Sequence, residues 1–194
     1  MKEYLKIKVK EIKDKKLEIY NPTEYPLIGQ GSQGAVFKLD SQRCIKIYGN
    51  KKIAEMEKGA YAKGAGASFM PILYEAGPQY IIIEYIEGPN LKEYLKKKGK
   101  LPRWLGNELI NMLIEMRQYD FWRRDESLRH ILIKEESKIK IVDHVYAFSL
   151  KNPYPVKLFK QLDELGCLQE FLNQGERQAA ELFEELKKAM KDFF

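Results

Sequence analysis

Ile28-Gly29-Gln30-Gly31-Ser32-Gln33-Gly34-Ala35-Val36 lies between two short apolar stretches, Pro26-Leu27-Ile28 and Arg43 to Tyr48, the second of which carries Cys44-Ile45-Lys46. Glycines spaced G-x-G-x-x-G-x-V leave the backbone N–H groups of a turn uncovered by Cβ atoms, which is what a polyanion such as a phosphate chain requires. The turn joins strand to strand rather than strand to helix, so it differs from a dinucleotide-binding turn. A plain hairpin is the alternative for such a turn taken alone. Lys46 follows inside an apolar strand, where a cation is costly unless something anionic meets it. It is expected to meet phosphates and to need a carboxylate to hold it. The next stretch offers two. Glu57 stands four residues before Tyr61 on one helix face and is the expected partner, with Glu55 the alternative.

Working outward, the first half reads as strands. Tyr4 to Lys10 alternates with period two, Asp14-Lys15-Lys16 makes a turn and Leu17 to Tyr20 returns, predicting a hairpin. Pro26 to Ile28, Ala35 to Leu39, Arg43 to Tyr48, Ile72 to Tyr74 and Tyr80 to Tyr85 supply five more strands, with one helix, Lys52 to Lys63, inserted. After Gly88-Pro89 the period changes to that of helices. Leu91 to Lys98 and Trp104 to Tyr119 read as amphipathic helices, followed by a strand pair at Ile131 to Ile133 and Ile139 to Val142. Two further helices are predicted at Val156 to Leu172 and Glu176 to Lys191. The expected organisation is a β-rich unit over 1–87 and a helical unit over 88–194, joined by a short hinge near Ile86 to Pro89.

A chain of 194 residues with 44% hydrophobic content is large enough to bury a core in one domain or two small lobes. Its net charge of +6 favours anionic partners such as nucleotides, RNA or acidic surfaces. The lysines are nevertheless spread along the chain, as on an ordinary solvated surface. Cys44 and Cys167 lie far apart with no metal-type spacing, so a disulfide scaffold is not expected and a reducing, cytoplasmic setting is. The longest apolar run, around Tyr80 to Ile83, is far too short to span a bilayer.

A second chemistry-bearing segment lies downstream. Arg124-Asp125 follows the long helix, His130 comes five positions after Asp125, and the strand pair leads to Ile141-Val142-Asp143. A strand-loop-strand unit flanked by carboxylates can set one near a hydroxyl as a base and another on a metal. Phosphoryl transfer needs little more, because its catalysis is mostly positioning and charge neutralisation. Taken alone, Asp125 reads as a turn residue or helix cap.

In these ordered motifs the sequence resembles the protein-kinase superfamily over roughly Leu27 to Phe148. The resemblance implies an α+β, two-lobed protein-kinase-like fold with a truncated helical second lobe. It also implies ATP contacts from Ile28, Gly29, Gln30, Gly31, Ser32 and Gly34 of the turn. Val36 and Cys44 would roof the adenine and Leu132 lie beneath it. Glu84-Tyr85-Ile86 would be the adenine hinge, and Asn90 belongs to the turn that follows. Lys46, Glu57 and Asp125 would be the catalytic residues, with Asp143 and His130 holding Mg²⁺ or Mn²⁺. The likeness is closest to the minimal, atypical branch that includes RIO-type kinases, since Ser127 matches the serine of their catalytic loop.

Arg123 stands where His or Tyr is usual, His130 where Asn is usual, and Asp143-His144-Val145 where Asp-Phe-Gly is usual. The two histidines either vary the metal site, because imidazole suits Mn²⁺ and transition ions better than Mg²⁺, or pack locally. The expected activity is an atypical serine/threonine-type kinase or slow ATPase, with an unidentified protein or small molecule as acceptor. A pseudokinase acting as a binding module and a small-molecule kinase are the alternatives. A nucleic-acid or ribonucleoprotein contact rests on the basic charge alone.

Overall fold

The computed structural model describes residues 2–12, 16–134 and 138–191. The turn expected at Asp14 and Lys15 lies outside them. The chain separates into two compact units, Met1–Lys63 with Pro71–Tyr85 and Gly64–Met70 with Ile86–Phe194. Expectation differed at 86–87 and over 64–70, all of which join the second unit, and for 64–70 hydrogen bonding gives the reason. The Phe69 carbonyl accepts from the Ile141 N–H at 2.8 Å, and Lys140 Nζ donates to the Ser68 and Met70 carbonyls at 2.9 and 2.8 Å.

In the first unit a short 3-10 turn, Glu3–Lys6, precedes β1 (Lys8–Glu11) and β2 (Leu17–Tyr20), which pair antiparallel. The strand expected from Tyr4 therefore starts later, because Tyr4 turns inward and is buried. A five-stranded antiparallel sheet follows in the order β3-β4-β5-β7-β6, formed by β3 (Leu27–Gln30), β4 (Gly34–Lys38), β5 (Arg43–Tyr48), β6 (Leu73–Gly77) and β7 (Tyr80–Glu84). Helix α1 (Lys51–Lys63) connects β5 to β6.

Strand side chains alternate between faces, which divides the unit's core. Ala35, Phe37, Ile45, Ile47 and Ile82 form one buried cluster with Tyr4, Ile7 and Val9 from the N-terminal segment. The intervening positions of β5 include Lys46 and Tyr48, and both hydrogen-bond Glu57 of α1. That helix buries Ala54, Glu57, Ala60 and Tyr61.

The second unit contains α2 (Leu91–Lys98), α3 (Arg103–Gln118), the hairpin β8 (Ile131–Lys134) and β9 (Lys138–Ile141), then α4 (Val156–Asp163), α5 (Leu168–Gln178) and α6 (Ala180–Ala189). Asn90 caps α2 by accepting from the Glu93 N–H at 3.0 Å. Leu105, Leu109, Ile110, Met112, Leu113 and Met116 of α3 are buried. Phe159, Phe171 and Phe183 stack edge to face from α4 through α6 at centroid distances of 5.7 and 5.5 Å.

Three helices replace the two expected at the C-terminal end. The apolar period runs unbroken from Val156 to Leu172, yet Gly166 takes a left-handed φ of +66° and the Cys167 N–H turns back to the Leu162 carbonyl at 2.8 Å. This ends α4 in the manner of a helix C-terminus. Residues expected to open the last helix, Glu176 and Arg177, instead finish α5.

Gly34 is fixed by close approach rather than by its dihedrals, since a Cβ there would stand 2.6 Å from the Ile47 carbonyl oxygen of β5. At Gly31 the same atom would meet nothing within 4 Å. Gly34→Ala should therefore cost roughly 1–3 kcal/mol through strand displacement. Gly31→Ala should stay within about 0.5 kcal/mol. Urea unfolding of the two variants checks this, and equal losses would contradict the assignment.

Candidate functional site

In the first unit β3 and β4 form the glycine turn, closed by the Gly31 N–H donating to the Gly34 carbonyl at 3.0 Å. Gly29 pairs with Val36, and Val36 pairs in turn with Lys46. Lys46 thus lies in the middle of the sheet, with Ile81 of β7 on its other side. Its Nζ lies 2.6 Å from Glu57 Oε2, the lysine side chain 12% exposed and the glutamate 1%. The Tyr48 hydroxyl donates to the same oxygen at 2.9 Å. Glu55 points outward, 65% exposed, and pairs with Lys58. Two of the three members of this cluster were expected. Tyr48 was not, although its place two residues beyond Lys46 on one strand face was a usable signal.

The expected adenine-binding residues divide between the units. In the first, Cys44 is buried beside the Glu84 carbonyl, and burial pushes its thiol pKa up to about 12. The N–H groups of Glu84 and Tyr85 are engaged within the unit, donating to Ile72 O at 2.9 Å and Gln42 O at 2.7 Å. The Glu84 carboxylate accepts from the Ile72 N–H at 3.2 Å. Ile28, Gln30 and Ser32 are exposed along β3 and the turn. In the second unit Ile86 is buried, Leu132 of β8 is half-buried, and Asn90 forms an isolated bridge with Leu132. Asn90 Oδ1 is engaged as the α2 cap, which assigns that side chain a structural task.

The second unit also carries the downstream segment. Trp122 and Arg123 donate their N–H groups to the Ala147 carbonyl, and Arg124 donates to Asn152. These bonds bring 144–152 alongside the loop. Asp125, 9% exposed, accepts three hydrogen bonds, from the Lys157 and Leu158 N–H groups at the start of α4 and from Asn152 Nδ2. It therefore caps α4. Burial raises its carboxyl pKa above the usual aspartate range, against the opposing pull of those N–H donors. A carboxylate has about four acceptor sites, so one remains for another donor.

The His130 N–H closes a turn onto the Ser127 carbonyl at 2.9 Å, and the Val142 N–H donates to the His130 carbonyl at 2.9 Å. This places His130 Nε2 3.9 Å from Asp143 Oδ2 and His130 Nδ1 3.7 Å from Glu126 Oε2. Asp143 itself has φ +72°, a left-handed conformation unusual outside glycine. Strain of this kind is stored where the surroundings dictate a side chain's position. His144 is 1% exposed, its Nε2 lies 2.8 Å from the Ile141 carbonyl, and its ring contacts Phe69 and Phe121. It packs locally. Ser127 is buried and donates to Gln161 Oε1 of α4 at 3.4 Å. Sequence reasoning missed Glu126, Asn152 and Gln161, for which local spacing carried no signal apart from the i, i+4 relation of Glu126 to His130.

Among the described residues, no group of three or more His, Cys, Asp or Glu side chains gathers as a metal cage. His130 and Asp143 nonetheless offer one ring nitrogen and one carboxylate oxygen that could share an ion. In an octahedral shell with ligands about 2.1 Å from the ion, neighbouring ligands stand about 3.0 Å apart, so the 3.9 Å between Nε2 and Oδ2 would close by about 1 Å on binding. Nucleotide-associated ions characteristically take one or two protein ligands and complete their shell with phosphates and water.

Two stability measurements test this geometry. Lys46→Met removes the ion-pair partner of a buried carboxylate and should cost roughly 3 kcal/mol in urea unfolding. A loss under about 1 kcal/mol would mean the pair is effectively solvated. Asp143→Asn should be nearly neutral because Asn tolerates the left-handed region, whereas Asp143→Ala should cost about 1–2 kcal/mol more. Equal stabilities would contradict the strained backbone.

No protein-family model matches the chain. Over 125 residues it is 28% identical to a Bacillus subtilis (strain 168) protein named "Putative serine/threonine-protein kinase YrzF", covering 62% of this chain and 58% of that protein. Over 80 residues it is 32% identical to "Serine/threonine-protein kinase ppk25" of Schizosaccharomyces pombe, covering 39% of this chain and 18% of that protein. The chain therefore spans less than two thirds of these curated relatives. The solved co-crystal structure of WbdD and the kinase inhibitor LY294002 superimposes with a TM-score of 0.53 at 17% identity, over 76% of this chain and 39% of that one. No helix among the described residues is long and apolar enough to cross a membrane. The chain has an α+β, kinase-like fold, with a β-sheet-rich first part and a helical second part, and its sequence relatives carry serine/threonine-kinase names.

Proposed function

We propose that the chain binds ATP with a divalent cation and transfers or releases the γ-phosphoryl group, as an atypical serine/threonine-type kinase or slow ATPase. The observation that carries this reading is Lys46, a cation held by the buried Glu57 in the centre of a sheet whose adjoining strands form an open glycine turn. Buried ion pairs are seldom the most stable filling for such a place, because desolvation offsets much of their attraction. A requirement for positive charge at that position accounts for the pair.

In this reading the glycine turn and Lys46 hold the phosphates, and Glu57 with Tyr48 fixes Lys46. Val36 and Cys44 of the first unit flank the adenine. Asp143 and His130 would hold Mg²⁺ or Mn²⁺, which when bound supplies neutralisation of phosphate charge. Asp125 orients an acceptor hydroxyl through the acceptor site its capping bonds leave.

The three hydrogen bonds on Asp125 also favour a second reading, a nucleotide-binding module without turnover. In that case Asp125 serves α4 alone.

ATP with Mg²⁺ or Mn²⁺ should raise the melting temperature, because a ligand that binds only the folded state stabilises it by mass action. The ATP-dependent increment, measured from each variant's own baseline, should shrink in Lys46→Met. No increment for the wild type at millimolar ATP would overturn nucleotide binding.

Turnover separates the two readings. Asp125→Asn should keep the thermal increment and lower phosphoryl transfer roughly 10²-fold, about 3 kcal/mol of barrier. The base must be ionised to act. Since burial raises the Asp125 pKa, wild-type turnover should begin to fall at a pH above the titration range of an ordinary aspartate near 3.9. Labelled-ATP assays across pH check this, and unchanged turnover in Asp125→Asn would leave Asp125 with the helix cap only.

A further inference from the structure

Glu126 is a buried polar residue of the second unit that the proposed reaction does not use. It is 2% exposed, and its Oε2 has no hydrogen-bond partner among the described residues. Buried carboxylate oxygens are nearly always satisfied, so an exception calls for a physical account. A candidate is His130 Nδ1, 3.7 Å away, an atom itself buried and without a hydrogen-bond partner among the described residues. The opposite ring nitrogen, Nε2, faces Asp143 Oδ2 at 3.9 Å. The imidazole therefore stands between a buried carboxylate and a partly exposed one, with side-chain exposures of 2% and 35%.

A neutral imidazole carries one N–H and one lone pair, and the partner of one nitrogen decides which is which. A carboxylate only accepts. Both neighbours are carboxylates, but Glu126 is buried and its Oε2 has no other partner among the described residues, whereas Asp143 is partly exposed; the Nδ1 proton therefore goes to Glu126, and the lone pair of Nε2 is left beside Asp143. A carboxylate behind a histidine in this way fixes the ring's tautomer and orientation and raises its basicity as a ligand.

Resting on the nucleotide–metal reading above, we propose that Glu126 is a positioning residue that sets His130 Nε2 as a nitrogen ligand beside Asp143, making the cation site selective for Mn²⁺ over Mg²⁺. The separation of 3.7 Å exceeds a hydrogen bond and closes with a side-chain shift of under about 1 Å. One nitrogen and one carboxylate oxygen form a donor pair that Mn²⁺ accepts readily, whereas Mg²⁺ prefers oxygen alone. Glu126 thereby acts through His130 and touches neither nucleotide nor acceptor.

The test measures bound Mn²⁺ by electron paramagnetic resonance with ADP present, so that no turnover is needed, and Mg²⁺ by competition. Glu126→Leu removes the acceptor and should weaken Mn²⁺ binding about 10- to 100-fold while moving Mg²⁺ much less. Glu126→Gln, which retains an acceptor oxygen, should recover most of the affinity and guards against a folding defect in the leucine variant. In a His130→Asn background Glu126→Leu should have no further effect on Mn²⁺, since its route is through the imidazole. Unchanged Mn²⁺ affinity in Glu126→Leu would overturn the proposal, as would an equal loss with and without His130. If the wild type with ADP binds neither ion, the nucleotide–metal reading itself falls and takes this proposal with it. Mg²⁺ binding by the wild type without preference for Mn²⁺ overturns the proposal alone.

Discussion

A lysine at position 46, between Val36 on one strand and Ile81 on the other, is tolerable in the centre of a sheet only because a carboxylate meets it. Glu57 does so from α1 at 2.6 Å, and the Tyr48 hydroxyl holds the same oxygen. Much of the first unit follows from this contact. The sheet's strand order puts β5 between β4 and β7, α1 must run close enough for Glu57 to reach it, and α1 places alanines at two of its other buried positions. The opposite sheet face is sealed by Tyr4, Ile7 and Val9, so the charged face is left to α1.

The downstream segment is organised by a different device. Asp125 ties its loop to the start of α4, and Gln161 of α4 reaches back to accept from the Leu128 N–H and the Ser127 hydroxyl. Hydrogen bonds across 144–152 hold the other side. The loop is thus a braced element, and its strain collects at Asp143, the residue proposed to hold a cation. Bracing of this kind fixes the backbone that carries His130 and Asp143, as the proposed cation site would require.

Much of this was legible in the sequence, for local reasons. Strands β4, β5 and β7 and helices α1 and α2 carry strong periodicity and clear punctuation, and the Lys46–Glu57 pair followed from the cost of a lysine in an apolar strand. The helix break at Gly166 was less legible, because apolar spacing continues through it and a lone glycine is a weak stop signal. The next break, at Ala179, has no glycine or proline to mark it. A capping role for Asp125 was legible in the sequence, but that the helix it caps is α4, and that Glu126 stands behind His130, were not. The first depends on a helix beginning some thirty residues later, and the second on the burial of a side chain that reads from the sequence as an ordinary surface charge.

In the proposed function Lys46 is kept charged at the sheet's centre to meet a phosphate chain. An acyl-phosphate derivative of ATP carries its reactive carbonyl at the end of that chain and acylates the lysine held there, so peptide mapping reads the position directly. Lys46 should be labelled ahead of the chain's other lysines, and free ATP should suppress the labelling. Labelling confined to surface lysines and indifferent to ATP would contradict it.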